Sequence, residues 1–210
     1  MNVADKSCLD SACRKVAAAA AKGGWQLALA ESCTGGLAAE GLTAMAGASQ
    51  WFSFGIVCYA NSAKTNILGI SAAALQKYGA VSEQTAAAMC EGAMALFAKN
   101  NRTAKANNAN GGNVKTDNAD GDNVKKMTIA ITGIAGPGGD DNTKKPVGTV
   151  CFGWQTKDDG KSEKAKSKSD KSEKTITETR HFPGNRESVR HQSAAYALQK
   201  AAAIMVISRI

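Results

Sequence analysis

Residues suited to metal binding and base stacking are scarce in this chain. Histidine occurs twice, at His181 and His191, so a structural zinc site has little imidazole to draw on and no metal is expected. The six cysteines, Cys8, Cys13, Cys33, Cys58, Cys90 and Cys151, include no C-x-x-C pair. Most fall inside apolar periodic segments and read as reduced, small hydrophobes. Apolar runs are short as well. Leu27 to Ala30 and Ala201 to Ile207 fall far below the roughly 20 residues that span a bilayer, which excludes a membrane helix. The N-terminus places Asp5, Lys6 and Asp10 before an alanine-rich stretch holding Arg14 and Lys15. It lacks the basic-then-apolar order of a secretory signal, so a cytoplasmic location is expected.

What is present fits one domain, since 210 residues with 43% apolar content can close a single core. The net charge of +8 raises the question of nucleic acid. The excess is localised. Residues 99–126 carry six Lys/Arg against three Asp, and residues 157–175 carry seven Lys against five acids. Neither stretch holds an aromatic side chain that could stack a base. Both read as solvated polar insertions with too little apolar surface to fold, and nucleic-acid binding is not expected.

Between them the pattern alternates. An alanine-rich helix over 8–22 stops at Gly23-Gly24, and a short apolar strand over 26–30 leads through Glu31 to Gly36 into a helix over 37–45. Ser49 is placed to cap a short turn, a second strand covers 54–59, and Asn61 caps a helix containing Lys64. Ser82-Glu83 opens a helix ending near Ala98. Strands follow at 127–132, 147–155 and 175–182, then a closing helix over 186–204. Such interleaving predicts an α/β domain of three layers, α/β/α. Its sheet is expected to be mixed and mostly parallel, because the last two strands can pair directly as a hairpin.

Four segments carry chemistry. Glu31-Ser32-Cys33-Thr34-Gly35-Gly36 lies where a strand gives way to a helix, so unpaired N–H groups and glycines there suit an oxyanion or a phosphate; a simple helix cap from Ser32 or Thr34 explains it equally well. Gly133-Ile134-Ala135-Gly136-Pro137-Gly138-Gly139 follows a strand ending at Thr132. Its glycine density favours a ligand cradle, yet it is neither a Walker loop nor a dinucleotide fingerprint. Tyr59-Ala60-Asn61-Ser62-Ala63-Lys64 puts a lysine in the first turn of a helix, where the dipole field lowers its pKa and prepares it as a base; an ordinary exposed lysine is the alternative. Arg186 and Arg190, four residues apart at the start of the last helix, put two guanidinium forks on one face and suit a phosphate or an ion pair with Glu187.

Taken in order, these segments resemble the C-terminal domain of the competence/damage-inducible CinA family. The resemblance rests on Ala30 to Gly36, Gly47 to Phe52, Tyr59 to Lys64, Tyr78 to Ser82, Thr132 to Pro137, Lys145 to Val150 and Phe182 to Arg186. It covers about residues 24–98, 127–156 and 178–206. It implies hydrolysis of nicotinamide mononucleotide to nicotinate mononucleotide and ammonia by a serine/lysine mechanism, without metal or cofactor, in a homodimer. The domain linked to pyrophosphatase activity in longer CinA proteins has no counterpart in these residues, so no such activity is expected. The site set it implies is Ser32, Ser49, Tyr59, Lys64, Thr132 and Arg186.

On this reading Lys64 deprotonates a serine, and Ser49 is preferred to Ser32 because Ser32 lies in the N–H-rich turn of Thr34, Gly35 and Gly36, which suits an oxyanion. Tyr59 relays a proton or orients Lys64. Arg186 and Arg190 take the 5′-phosphate, while Thr132, Gly133 and Gly136 border the ribose and pyridine. Three rivals stand beside it: Cys33 as nucleophile, a non-catalytic nucleotide-binding module, and a DNA-binding protein acting through the basic insertions.

Overall fold

A computed structural model describes residues 3–109, 124–139, 144–158 and 173–208. Six helices and five strands follow in the order α1 (Val3–Gly23), β1 (Trp25–Glu31), α2 (Leu37–Thr43), β2 (Phe52–Val57), α3 (Asn61–Leu68), α4 (Ala72–Tyr78), α5 (Glu83–Ala109), β3 (Lys125–Gly133), β4 (Thr149–Asp158), β5 (Glu173–His181) and α6 (Arg186–Ile207). A 3₁₀ turn, Ala48–Gln50, precedes β2. No described helix is long and apolar enough to cross a membrane.

The sheet runs β2-β1-β3-β4-β5. β1 is parallel to both β2 and β3, whereas β4 is antiparallel to β3 and to β5. Four strands therefore point one way and β4 is reversed, the mixed sheet expected from the 147–182 hairpin. Alternation along the strands sorts the core into two faces. Trp25, Leu27 and Leu29 of β1, with Met127, Ile129 and Ile131 of β3 and Phe152 and Trp154 of β4, meet α1 and α6 in the larger cluster. The opposite face is built from small residues, among them Ala28, Ala30, Ala130 and Cys151, and receives α3, α4 and α5. Gly153 shows why they are small. A Cβ there would lie 2.8 Å from the Ala86 carbonyl and 2.9 Å from the Cys90 sulfur, so α5 rests directly on the strand backbone.

Departures from the sequence reading are local. Neither expected cap is made, since Asn61 is the first residue of α3 behind Ala60 and Ser49 lies inside the 3₁₀ turn behind Gly47, with no side-chain cap at either. α4 was not expected, and its seven residues are announced by Ser71, whose hydroxyl accepts from Ala74 N at 3.1 Å as an N-cap. α5 runs eleven residues past Ala98, to Ala109, into the first polar insertion. No Gly or Pro intervenes before Gly111, and an established helix gains one hydrogen bond per added residue without needing an apolar partner. The rest of that insertion and most of the second lie outside the described residues.

The topology fixes where a ligand can bind. From β1 the chain crosses to β2 on one side and then returns by α3, α4 and α5 to β3 on the other. Crevices open at such reversals beyond the carboxyl ends of parallel strands. Ser32, Cys58 and Thr132 sit at those ends.

Candidate active site

Ser32 directly follows β1 and its amide donates to Ile131 O at 2.9 Å, which holds it in line with the neighbouring strand β3. Lys64, in the opening turns of α3, reaches across to it. Its Nζ lies 3.1 Å from Ser32 Oγ, 2.9 Å from Cys58 O and 3.1 Å from Tyr59 O. Lys64 is 1% exposed and Ser32 7%. Burial depresses the Lys64 pKa below its ordinary value, and Cys58 and Cys33 oppose that shift only in part. A neutral amine has two N–H bonds and one lone pair. The Lys64 amine donates to both carbonyls and to Ser32 Oγ; on loss of its proton the third bond reverses and the Ser32 hydroxyl donates to the lone pair, the arrangement a general base needs.

Cys33 is placed differently. It is packed into the larger core cluster, and burial pushes its thiol up to about 12. Burial therefore favours the protonated thiol over the nucleophilic thiolate, which weighs against the cysteine alternative.

The turn after Ser32 corrects the expected anion cradle. Gly35 and Gly36 both adopt left-handed backbone, with φ of 63° and 92°, and this wraps the chain so that the buried Glu31 carboxylate faces the start of α2. That carboxylate accepts from Gly36 N at 3.0 Å, Ala38 N at 3.2 Å and Ala39 N at 2.8 Å. Gly35 N donates to Ser32 O and Leu37 N to Thr34 O. The chain's own anion thus fills the helix end that was expected to hold a ligand. The amides of Cys33 and Thr34 are left with no main-chain acceptor among the described residues.

Ser49 does not join this group. It lies exposed in the 3₁₀ turn before β2, where Trp51 O accepts from Leu27 N near the start of β1. Ser32 is five residues on from Leu27, about 16 Å at the usual rise, so Ser49 is at the opposite end of the sheet from Lys64. Ser49, preferred to Ser32 from the sequence, thus lies away from Lys64, because α2 returns the chain along the strands between the two serines.

The remaining expected residues lie at the same end of the sheet as Ser32 and Lys64, with contacts other than those expected. Tyr59 orients Lys64 through its main-chain carbonyl, while its phenol is 57% exposed and accepts from Arg186 Nη2 at 2.8 Å. Arg186 Nη1 also donates to Gly136 O at 2.6 Å, tying α6 to the glycine-rich loop. Thr132 turns its hydroxyl to Ala80 O at 2.7 Å, and Gly133 abuts the Thr149 carbonyl, so both hold neighbouring chain in place. Arg190 donates to Thr34 O from Nη2 at 2.8 Å and from Nε at 3.3 Å. Among the described residues, no group of three or more His, Cys, Asp or Glu could hold a metal ion.

Comparison with known proteins decides the lineage. The family model described as the CinA C-terminal domain matches residues 9–121 and 118–175. The chain belongs to the CinA C-terminal domain family. It is 37% identical over 187 residues to the nicotinamide-nucleotide amidohydrolase PncC of Enterobacter agglomerans, covering 89% of each chain. A CinA-like protein of Mycolicibacterium paratuberculosis is 38% identical over 175 residues, but there the chain spans 32% of the relative's length. Among solved structures, a CinA superfamily protein from Klebsiella pneumoniae superposes with a TM-score of 0.71 at 28% identity, covering 95% of this chain and 98% of that one. A competence/damage-inducible protein from Agrobacterium tumefaciens gives 0.68 at 29% identity, with 94% and 95% covered.

Within this CinA domain, two groups escaped the sequence reading. Glu31 was quoted as part of the turn but given no task. A carboxylate just before a Gly-Gly helix start signals a cap, yet the cap acts from five to eight residues away and closes only in three dimensions. The Cys58 and Tyr59 carbonyls that aim Lys64 are main-chain atoms, and no residue type announces them.

Proposed function

We propose that this CinA domain is an amidohydrolase that converts nicotinamide mononucleotide to nicotinate mononucleotide and ammonia, with Ser32 as nucleophile and Lys64 as base. The observation that carries this reading is the buried Lys64 amine, 3.1 Å from the Ser32 hydroxyl and aimed by two carbonyls. The name of the Enterobacter agglomerans relative, a nicotinamide-nucleotide amidohydrolase of matching length, supports the substrate.

Neutral Lys64 takes the Ser32 proton as Oγ bonds to the carboxamide carbon. The oxyanion of the tetrahedral intermediate faces the Cys33 and Thr34 amides, donors worth about 3 to 4 kcal/mol each at such sites. The C–N bond then breaks, and the Lys64 ammonium returns its proton to the departing nitrogen as ammonia. A water deprotonated by Lys64 attacks the nicotinate-mononucleotide ester on Ser32; Lys64 returns that proton to Ser32 Oγ as the C–O bond breaks, and the carboxylate is released. Arg186 is exposed and uses two of its five donors on Gly136 O and the Tyr59 phenol, leaving three for the 5′-phosphate. The enzyme acts in the cytoplasm as a homodimer.

Ammonia release from a panel of pyridine amides, with mass spectrometry of the quenched enzyme, tests the proposal. Release from the mononucleotide and a nicotinate-mononucleotide acyl adduct on the Ser32 peptide are expected. Turnover that survives in Ser32→Ala, or no release from the mononucleotide, would refute it.

A further inference from the structure

Arg190 lies one helical turn beyond Arg186 and was expected to share a phosphate with it. Its guanidinium faces the protein's own main chain instead. Two donors of one rigid plane, Nη2 at 2.8 Å and Nε at 3.3 Å, converge on Thr34 O. Such a fork fixes the direction of a peptide plane as well as its position. The nitrogen of that same peptide, Gly35 N, donates to Ser32 O at 3.0 Å. The peptide is clamped at both ends, by α6 at its oxygen and by the Ser32 main chain at its nitrogen.

The turn would not hold this shape unaided. Gly35 and Gly36 are both left-handed, and the Thr34 hydroxyl is fully buried with no hydrogen-bond partner among the described residues. A turn free to relax would give that hydroxyl a partner. The conformation is imposed by the side chains that grip it, Glu31 from β1 and Arg190 from α6. Space around the fork is close as well, since a Cβ on Gly35 would lie 3.5 Å from Arg190 Nη2.

We propose that Arg190 is a positioning residue of the oxyanion turn. It holds the Cys33 and Thr34 amides where the tetrahedral intermediate forms, and it does not bind the substrate's phosphate. This rests on Ser32 being the nucleophile.

The test compares Arg190→Lys, Arg190→Gln and Arg190→Met with the wild type on three substrates. These are nicotinamide mononucleotide, nicotinamide riboside, which keeps the amide and lacks the phosphate, and p-nitrophenyl acetate, which reads acylation of Ser32. For Arg190→Met, a loss of about ten-fold or more in kcat on the first two and in acylation rate on the third is expected, with KM for the mononucleotide within about two-fold. Arg190→Gln, which retains a planar N–H donor, should recover part of that loss. A raised KM for the mononucleotide with kcat intact and riboside kinetics unchanged would assign Arg190 to phosphate and overturn the proposal, as would unchanged kinetics throughout. A measurement on the wild type stands apart from folding of the variants: phenylglyoxal labelling of Arg190, read by mass spectrometry, should proceed at one rate with or without nicotinate mononucleotide. Protection of Arg190 by that ligand would overturn the proposal. A wild type acylated at Ser32 by the ester that releases no ammonia from the mononucleotide refutes the substrate alone, and the ester rate still reads Arg190.

Discussion

Lys64→Met removes the amine while keeping an unbranched stem in the same buried slot, so it separates the chemistry of position 64 from its packing. If the amine is the base, kcat falls by about 10² to 10⁴, or roughly 3 to 5 kcal/mol of barrier. Stability should respond in a pH-dependent way. The variant leaves Cys58 O and the Ser32 hydroxyl without their partner at position 64, each at about 1 to 3 kcal/mol. Against this, the wild type carries a cost that the variant lacks. Because burial lowers the Lys64 pKa in the fold below the ordinary 10.5, the unfolded chain binds a proton that the native state gives up. Wild-type stability from this group is therefore complete above pH 10.5 and declines as pH falls toward the folded pKa, below which the loss is constant. The methionine variant has no such slope. Urea denaturation of both proteins between pH 7 and 10.5 should show the variant gaining on the wild type as pH falls. The kcat/KM profile of the wild type should rise with pH with a midpoint below 10.5. Stability curves that run parallel across that range, or a variant within ten-fold of wild-type turnover, would refute a neutral, catalytic Lys64.

The opposite ends of the sheet give a paired test: Ser49→Ala should keep at least about half of wild-type turnover, whereas Ser32→Ala loses as much as a missing nucleophile does; the reverse order in an ammonia assay would restore Ser49. Cys33→Ala should retain near-wild-type kcat and lose about 1 kcal/mol of stability from the small cavity, measured by denaturant midpoint; loss of turnover with the fold intact would return the thiol to the mechanism. Glu31→Gln replaces one acceptor oxygen by a donor that faces the α2 amides, so a stability loss of about 1 to 3 kcal/mol and slower turnover are expected; unchanged thermal stability would mean that the carboxylate does not cap the helix.

The order of elements was legible along the chain because each carries its own signature. The apolar run at Leu27 to Ala30 and the Gly23-Gly24 stop place β1 and the end of α1 within one or two residues of where they lie. The closing helix expected from residue 186 begins there, at Arg186. Boundaries that depend on a missing stop were misplaced, as with α5, which composition alone ended at Ala98.

Local chain chemistry was enough to set the residue types available for reaction, the strand-turn-helix units that carry them and the family to which they belong. It did not determine which serine meets Lys64, because Ser32 and Ser49 are both flanked by turn residues and differ only in which end of a parallel strand they occupy. That distinction exists once β1 and β2 are paired and α2 has carried the chain back across the sheet. Nor could spacing reveal that Glu31 already neutralises the α2 amides or that Arg190 grips Thr34 from a helix 156 residues away. Hydrogen bonds between groups far apart in sequence are properties of the folded arrangement, and in this CinA domain they bring Lys64 to Ser32 and Arg190 to Thr34.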